Sequence, residues 1–419
     1  MKLLHVSDLH FGKVIHGVSM LDNGDQPHWV DGFLALAKEI SPDAVVIAGD
    51  VYDRSSPSGE AVTLMSRMLT ELEAMGIVVM LVAGNHDSGQ RLEFASGILS
   101  RQNIHIAGSV TKKMPRVVLC DEWGKVNFFL MPYVFPAAVA QALGEDEIRD
   151  YDTAVRRLIA EQNIDPSERN VIIAHQNVTV NGREFERGGS ESAVGGVGQV
   201  GHTAFDCFDY AALGHIHAAY KVGREGVRYA GSPLCYHFDE TLRPDKGPIL
   251  VEMGDKGSDL KIQTLRIEPL HPMRIMKGEA DALYERELAR DARCEYLKLV
   301  ITDKPMTAEI ADRFQSLAES RDSILMERIS EFRHAAVETE TPDGAFVREK
   351  TPEELFADFY QQRVGSEPDE KDARLLHYAG ELLRNNPFEG GKPDVADEKL
   401  KEKLLTFLLK QEDDDKCDL

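Results

Sequence analysis

The chain has 419 residues and a formal net charge of -23, with 71 acidic against 48 basic side chains. Its length suggests more than one domain, and hydrophobic residues at 42% with charged residues at 28% are ordinary for a globular protein. No run approaches the roughly 18 consecutive apolar residues of a bilayer-spanning helix, and so anionic a surface argues against a simple DNA-binding protein, since phosphate contacts need Lys and Arg. Cys120, Cys207, Cys235, Cys294 and Cys417 are scattered without a CxxC pair, which argues against a disulfide framework and for a cytoplasmic location. The opening "MKLLHVSDLH" reaches Asp8 and His10 too early for a signal peptide.

Residues 1–271 alternate short apolar strands with helical patterns. A strand in "KLLHVSD" leads to a helix in "WVDGFLALAKEI", a strand in "DAVVIAGD", a helix in "AVTLMSRMLTELEAMG" that stops at Gly76, and a strand in "IVVMLVAG". A fourth buried strand is "NVIIAH" and a fifth apolar segment is "YAALGHIH". Near-continuous apolar strands are those buried on both faces, and their alternation with helices predicts an α/β domain. Later strands around Arg228–Ala230 and Ile249–Met253 suggest a second sheet. Beyond Pro269 and Pro272 the character changes. Residues 272–333 read as a small α+β unit, with strands in "YLKLVIT" and "SILMERI" about a helix in "AEIADRFQSLAES". Residues 334–352 are polar and aperiodic, as a linker is. Residues 353–411 are helical, with Leu355, Phe356, Phe359 and Tyr360 on one face, as are Leu375, Leu376, Ala379, Leu382 and Leu383 further on. These helices are too few to enclose a core and are expected to pack on the rest of the chain or on another protein. Residues 412–419 form an acidic, solvated tail.

Ligand-type residues punctuate the strand ends: Asp8 and His10 after the first, Asp50 after the second, Asn85 and His86 after the third, His175 at the fourth, and His215 and His217 after the fifth. Each motif alone is weak, because a GD or GNHD turn is more often a satisfied loop. Together they are not, since strand carboxyl ends in α/β sheets converge on one edge, where ligands bind. The alternation in "HIH" puts both imidazoles on one face. A donor set of His, Asp and one Asn amide, without Cys, suits manganese, iron or zinc better than calcium. Asp8, His10, Asp50, Asn85, His175, His215 and His217 are too many for one ion, and two ions about 3.5–4 Å apart share a carboxylate and serve phosphoryl transfer. Two divalent ions against two carboxylates leave a local charge of about +2, able to draw a phosphate to an acidic protein. The apolar run Ile77–Val82 then serves to fix Asn85 and His86 at the sheet edge, with Gly84 allowing close backbone approach.

The ordered set D-x-H, GD, GNHD, H and GHxH, spanning residues 8–217, resembles the calcineurin-like metallophosphoesterases. The resemblance implies an α/β sandwich of two sheets flanked by helices. It also implies one metal on Asp8, His10 and His217, a second on Asn85, His175 and His215, and Asp50 as the bridge. In that family His86 is no ligand but faces the substrate, stabilising the transition state or protonating the leaving oxygen. Asp53 resembles the acid that orients this histidine, and Arg54 is a candidate phosphate contact, although an exposed Arg is an equal reading.

Further stretches, "SDLHFGK", "GVSML", "SESAVGG", "FDYAALGHIH", "YAGSPLCYHFDET" and "DKG", resemble the SbcD family of nuclease subunits. "PMRIMKG" through "YLKLVITDKP" resembles its capping domain, and "TPEELFADFY" the helices that grip the coiled-coil base of an SbcC-type ATPase. The likeness covers nearly the whole chain and weakens after about residue 385. It implies a nuclease domain over 1–271, a cap over 272–333, a linker over 334–352 and an ATPase-docking region over 353–411. It further implies a homodimer within a heterotetramer, with manganese as the expected metal and iron, zinc or magnesium as alternatives. The activity implied is exonuclease on duplex DNA ends and endonuclease on hairpins or single strands, in DNA repair, with the partner supplying much of the grip on DNA. There are two departures. Archaeal and eukaryotic relatives carry His where this chain has Asp53, and "MLDNGDQPHW" is longer than the pattern. It is expected to be a loop insertion near the first metal, with His16 and His28 as bystanders. Two alternatives stand beside this reading. A small-molecule or cyclic-nucleotide phosphodiesterase would not need the residues beyond 271. An inactive scaffold for an SbcC-type ATPase would not keep every ligand position filled.

Overall fold

The computed structural model describes residues 1–180, 198–242 and 246–332. The expected linker, helical docking region and acidic tail, along with "SESAVGG", lie outside the described residues. The chain divides into two units, Met1–Phe332 and Arg333–Leu419, and all that follows concerns the first.

Two six-stranded sheets form its centre. In the first, Lys2–Val6, Ala44–Ala48, Val78–Val82 and Ile104–Ala107 run parallel, and Ile249–Glu252 and Lys261–Thr264 extend the other side antiparallel. In the second, Gly124–Met131, Arg169–His175, Tyr210–Gly214 and Arg224–Tyr229 run parallel, with Arg116–Asp121 and Tyr220–Val222 antiparallel at its edges. Strand periodicity explains the stacking. Along Ala44–Ala48, the side chains of Ala44, Val46 and Ala48 enter a core shared with Val171 and Ile173 of the other sheet. Val45 and Ile47 face Trp29, Phe33, Leu64 and Met68 of the helices Asp25–Ile40 and Gly59–Ala74. Along Arg169–His175 the same alternation sends Ile172 and Ala174 towards Val155 and Leu158 of the helix Tyr151–Ala160. Each central strand is therefore buried on both faces, which is why its sequence is apolar without a break. The result is the expected α/β sandwich of two sheets flanked by helices.

The segment Met20–Trp29 differs from expectation. Its second half is the first turn of the helix Asp25–Ile40, and Pro27 is tolerated there because a first-turn residue needs no amide hydrogen. It lies between the small unit at its far side and the first ligand cluster, where Gln26 reaches the His10 carbonyl. Asn23 Nδ2 donates to the Tyr296 hydroxyl at 2.7 Å, and Asp25 Oδ2 accepts from that hydroxyl at 2.5 Å. Asp25 Oδ1 lies 3.0 Å from His271 Nδ1. His16 faces Glu327 and His28 the Glu268 carbonyl, away from the ligand cluster.

Residues 273–330 add a parallel three-stranded sheet of Met273–Gly278, Tyr296–Ile301 and Ile324–Ser330. The helices Ala280–Leu288 and Ala308–Glu319 close it around Met276, Leu299, Ile310 and Phe314. Tyr296 leaves this small core and joins that of the first sheet. Among the described residues no helix is long and apolar enough to cross a membrane.

Candidate metal centre

The carboxyl ends of both sheets meet at one edge. Asp8 N donates to the Gly49 carbonyl at 3.0 Å, and His175 Nδ1 lies 2.8 Å from the Ala48 carbonyl. Gly84 passes so near that a Cβ there would sit 2.0 Å from Asp50 Oδ1, a close approach only glycine permits. Four ligand-type residues turn sharply as they leave their strands: Asp8, His10, Asp50 and His215 have φ of 53°, 44°, 48° and 106°. Left-handed backbone at non-glycine residues costs about 1–3 kcal/mol each, so the surrounding hydrogen bonds must hold it. They include His10 N to the Asp50 carbonyl and His215 N to Asp8 Oδ1, both 3.0 Å.

All seven ligand candidates converge. Ligand atoms of Asp8, His10 and His217 lie within 4.8 Å of one another, as do those of Asp8, Asp50 and His175. Asn85 Oδ1 is 3.2 Å from His175 Nε2 and 3.0 Å from His215 Nδ1. Between these clusters stands Asp50, whose Oδ2 is 3.6 Å from His10 Nε2 and 3.3 Å from His175 Nε2.

The donors fit a pair of divalent cations. His217 Nδ1 faces Glu240 Oε1 at 3.2 Å and His175 Nδ1 faces a carbonyl, so in the neutral rings the Nε2 lone pairs turn inwards. His10 Nε2 and His217 Nε2 approach to 3.2 Å, a meeting of acceptors that a shared cation satisfies. Asp8 and Asp50 are 0% and 3% exposed, and buried anions require a counter-charge. Burial opposes the Asp50 charge, but His175, His10 and His86 around it hold its carboxyl far below the usual range. Burial raises the pKa of Asp8, with the Asp50 charge adding to it against the pull of the histidines. Burial would lower His175, yet Asp50 beside it raises it to about 9. A bound cation would supply the counter-charge that these buried carboxylates require.

His86 stands over the first cluster, its ring edge-on to His10 at 4.8 Å and its amide donating to Asp50 Oδ1 at 2.9 Å. One expectation is corrected here. The Asp53 carboxylate does not hold His86: the Asp53 backbone carbonyl does, 2.9 Å from His86 Nδ1. The carboxylate turns instead to Lys13 Nζ at 2.7 Å, with His10 Nδ1 at 3.6 Å. The turn after Asp50 bends the side chain of Asp53 inwards under His10 while its carbonyl points out. Arg54 is 77% exposed, with Nε 3.9 Å from Asp53 Oδ2.

Three further residues support the centre, of which Asp87 closes the GNHD motif while Gln26 and Glu240 belong to none of the ligand motifs. Asp87 takes amide hydrogens from Gly84, Val51 and Tyr52 at 2.9–3.0 Å, tying the GNHD loop to the GD loop. Burial, reinforced by the Asp50 charge, raises it to about 6. Gln26 Nε2 donates to the His10 carbonyl at 2.8 Å, and its Oε1 accepts from Gly12 N at 2.9 Å. Glu240, 5% exposed, joins His217 Nδ1 to Lys246 Nζ, the latter at 2.7 Å. Burial opposes its charge, but Lys246 and His217 lower it to about 2.

The fold and this cluster define a metal-dependent phosphoesterase, and comparison with known proteins agrees. Residues 1–219 match the family described as calcineurin-like phosphoesterase, and residues 269–364 match one described as the type 5 capsule protein repressor C-terminal domain. A solved structure, TT1561 of Thermus thermophilus, overlaps 63% of this chain and 99% of its own at 11% identity, with a TM-score of only 0.35. The SbcD component of nuclease SbcCD from Staphylococcus saprophyticus is 30% identical over 290 residues, covering 68% of this chain and 74% of that protein. The chain belongs to the calcineurin-like phosphoesterases and, within them, to the SbcD nuclease subunits. It is a metal-dependent phosphodiesterase of the nuclease class.

Proposed function

We propose that the chain cuts DNA at a two-metal centre as the nuclease subunit of an SbcC-type ATPase complex, acting on duplex ends and on hairpins or single strands. The observation that carries this reading is the position of Asp50, one carboxylate facing both ligand clusters. Asp8, His10 and His217 would hold one ion and Asn85, His175 and His215 the other, Asp50 would be shared between them, and manganese is the best match to mixed N/O donors. Such ions, when bound, polarise phosphoryl oxygens and activate water.

The protein's own groups do the rest. Glu240 and the Ala48 carbonyl fix the rings of His217 and His175 with Nε2 inwards. His86, its Nδ1 held by the Asp53 carbonyl, presents Nε2 to the substrate. From there the ring stabilises the departing oxygen or hands it a proton. The Asp53 carboxylate, beside Lys13, lies behind His10 and steadies that ligand instead of His86. Within the family-matched region 269–364 and the stretch 353–411 we assign capping and ATPase docking, and the partner compensates for an acidic surface that grips DNA poorly by itself.

The test is cleavage of an end-labelled linear duplex by the purified chain with manganese, beside Asp50→Asn. Wild-type cutting with no cutting by the variant is expected. Retained nuclease activity in Asp50→Asn would sink the bridging assignment.

A further inference from the structure

We propose that Tyr133 and Phe135 form a stacking platform for a nucleobase of the strand being cut, beside the metal centre. The inference rests on the DNA-nuclease reading and adds a subsite to it.

The strand Gly124–Met131 runs out towards the metal edge, and "PYVF" follows it. The Tyr133 amide donates to the Ala83 carbonyl at 2.8 Å, which pins this segment to the start of the GNHD loop. Extended backbone then alternates its side chains. Val134 is 0% exposed and enters the core under the second sheet, so Tyr133 and Phe135 take the opposite side. The Tyr133 ring lies 6.1 Å from His175 and 6.1 Å from His215, two residues of the second ligand cluster. Phe135 stands 4.8 Å from Tyr133, edge-on at 72°, and Tyr151 closes the group at 6.2 Å from Tyr133.

Phe135 is 52% exposed although it is large and apolar. It stands directly before Pro136, the first residue of the helix Pro136–Leu143, and its side chain caps nothing there. Folding therefore gains little from a Phe at this position. A nucleotide whose phosphate sits at the ligand cluster carries its base to this distance from the centre, and every base offers a flat face to an aromatic ring. Stacking needs no positive charge. That suits a chain of net charge -23, which cannot rely on Lys and Arg alone to hold a strand. A stacked base must be free of its partner, so the platform favours single strands and melted ends over intact duplex.

The test uses the full chain with manganese and single-stranded oligonucleotides, either complete or with one abasic residue placed in turn at each position flanking the cut. At one position the wild type should prefer the complete strand in kcat/KM by about 10-fold, within the range that base–aromatic stacking supplies. In Phe135→Ala that preference should fall towards one, chiefly through KM, and Phe135→Trp should restore it. A 2-aminopurine base at the same position should be quenched on binding the wild type and the Trp variant but not the Ala variant, independently of turnover. An unchanged abasic preference and unchanged quenching in Phe135→Ala would overturn the platform while leaving the nuclease reading intact. A wild type that cuts neither oligonucleotide would overturn both.

Discussion

Glu240 illustrates how a buried charge earns its place. It is the partner of His217 Nδ1 and is itself neutralised by Lys246, so that His217 keeps one tautomer and one orientation. Glu240→Gln preserves the shape but removes the charge, and is expected to weaken manganese binding about 10–100-fold, as losses behind a metal ligand do. Titration calorimetry on the metal-free protein measures this directly, and unchanged affinity would remove Glu240 from the site. The seven ligand candidates were legible in the sequence because each follows an apolar strand whose direction fixes where it ends. The supporting roles of Glu240 and Gln26 were not, because nothing local in the chain says which carboxylate or amide will reach a ligand from behind. Asp53 shows the same limit: its place in the chain was readable, but which of its oxygens meets His86 depends on how the turn after Asp50 bends.

The strands carry a second charged anchor at the end remote from the metals. Arg169, 2% exposed, opens the central strand of the second sheet and pairs with Asp121, last residue of the edge strand Arg116–Asp121. Asp121 also receives the amino terminus at 2.9 Å. The hydrogen bonds from Arg169 hold the Asp121 carboxyl far below the usual carboxylate range, against a small opposing effect of burial. Asp121→Asn leaves the guanidinium with carbonyl partners alone and is expected to cost about 2–3 kcal/mol, somewhat less than breaking a fully buried pair. Because the folded pKa is depressed, the stabilisation is complete above the unfolded value near 4 and is lost as pH falls below it. The gap in melting temperature between wild type and variant should therefore be wide at pH 7 and narrow below about pH 4; a gap independent of pH would refute the charge argument. This element was only partly readable. The apolar run before His175 announced its strand; the hairpin 116–131 carries runs as long, Val117–Cys120 and Phe128–Met131, but ends in no ligand-type residue to mark it.

For the assembled protein, we propose a surface through which two copies of the chain would pair. Phe94 and Ile98 are 81% and 69% exposed, and a groove of about 480 Å³ beside them is lined by Val62, Met65, Leu69 and Leu99. Apolar area of this kind on a charged protein marks an interface. Phe94→Arg combined with Ile98→Glu is expected to give a monomer in sedimentation, and a dimer unaffected by both would place the interface elsewhere. The change of pattern at Pro269 and Pro272 does not mark a clean physical boundary. Tyr296 opens a strand of the small sheet, yet it fills the core of the first sheet, and its hydroxyl bonds Asn23 and Asp25 while His271 meets the other Asp25 oxygen. Residues 273–330 are thus not a detachable module. A protein cut after residue 271 would carry an open socket where Tyr296 was, with Met20, Leu234 and Ile267 bared around it and the Asp25 carboxylate stripped of a hydroxyl. The outer face of this unit can be lengthened or reshaped freely, but the unit can be exchanged for another only by rebuilding the start of the first helix as well.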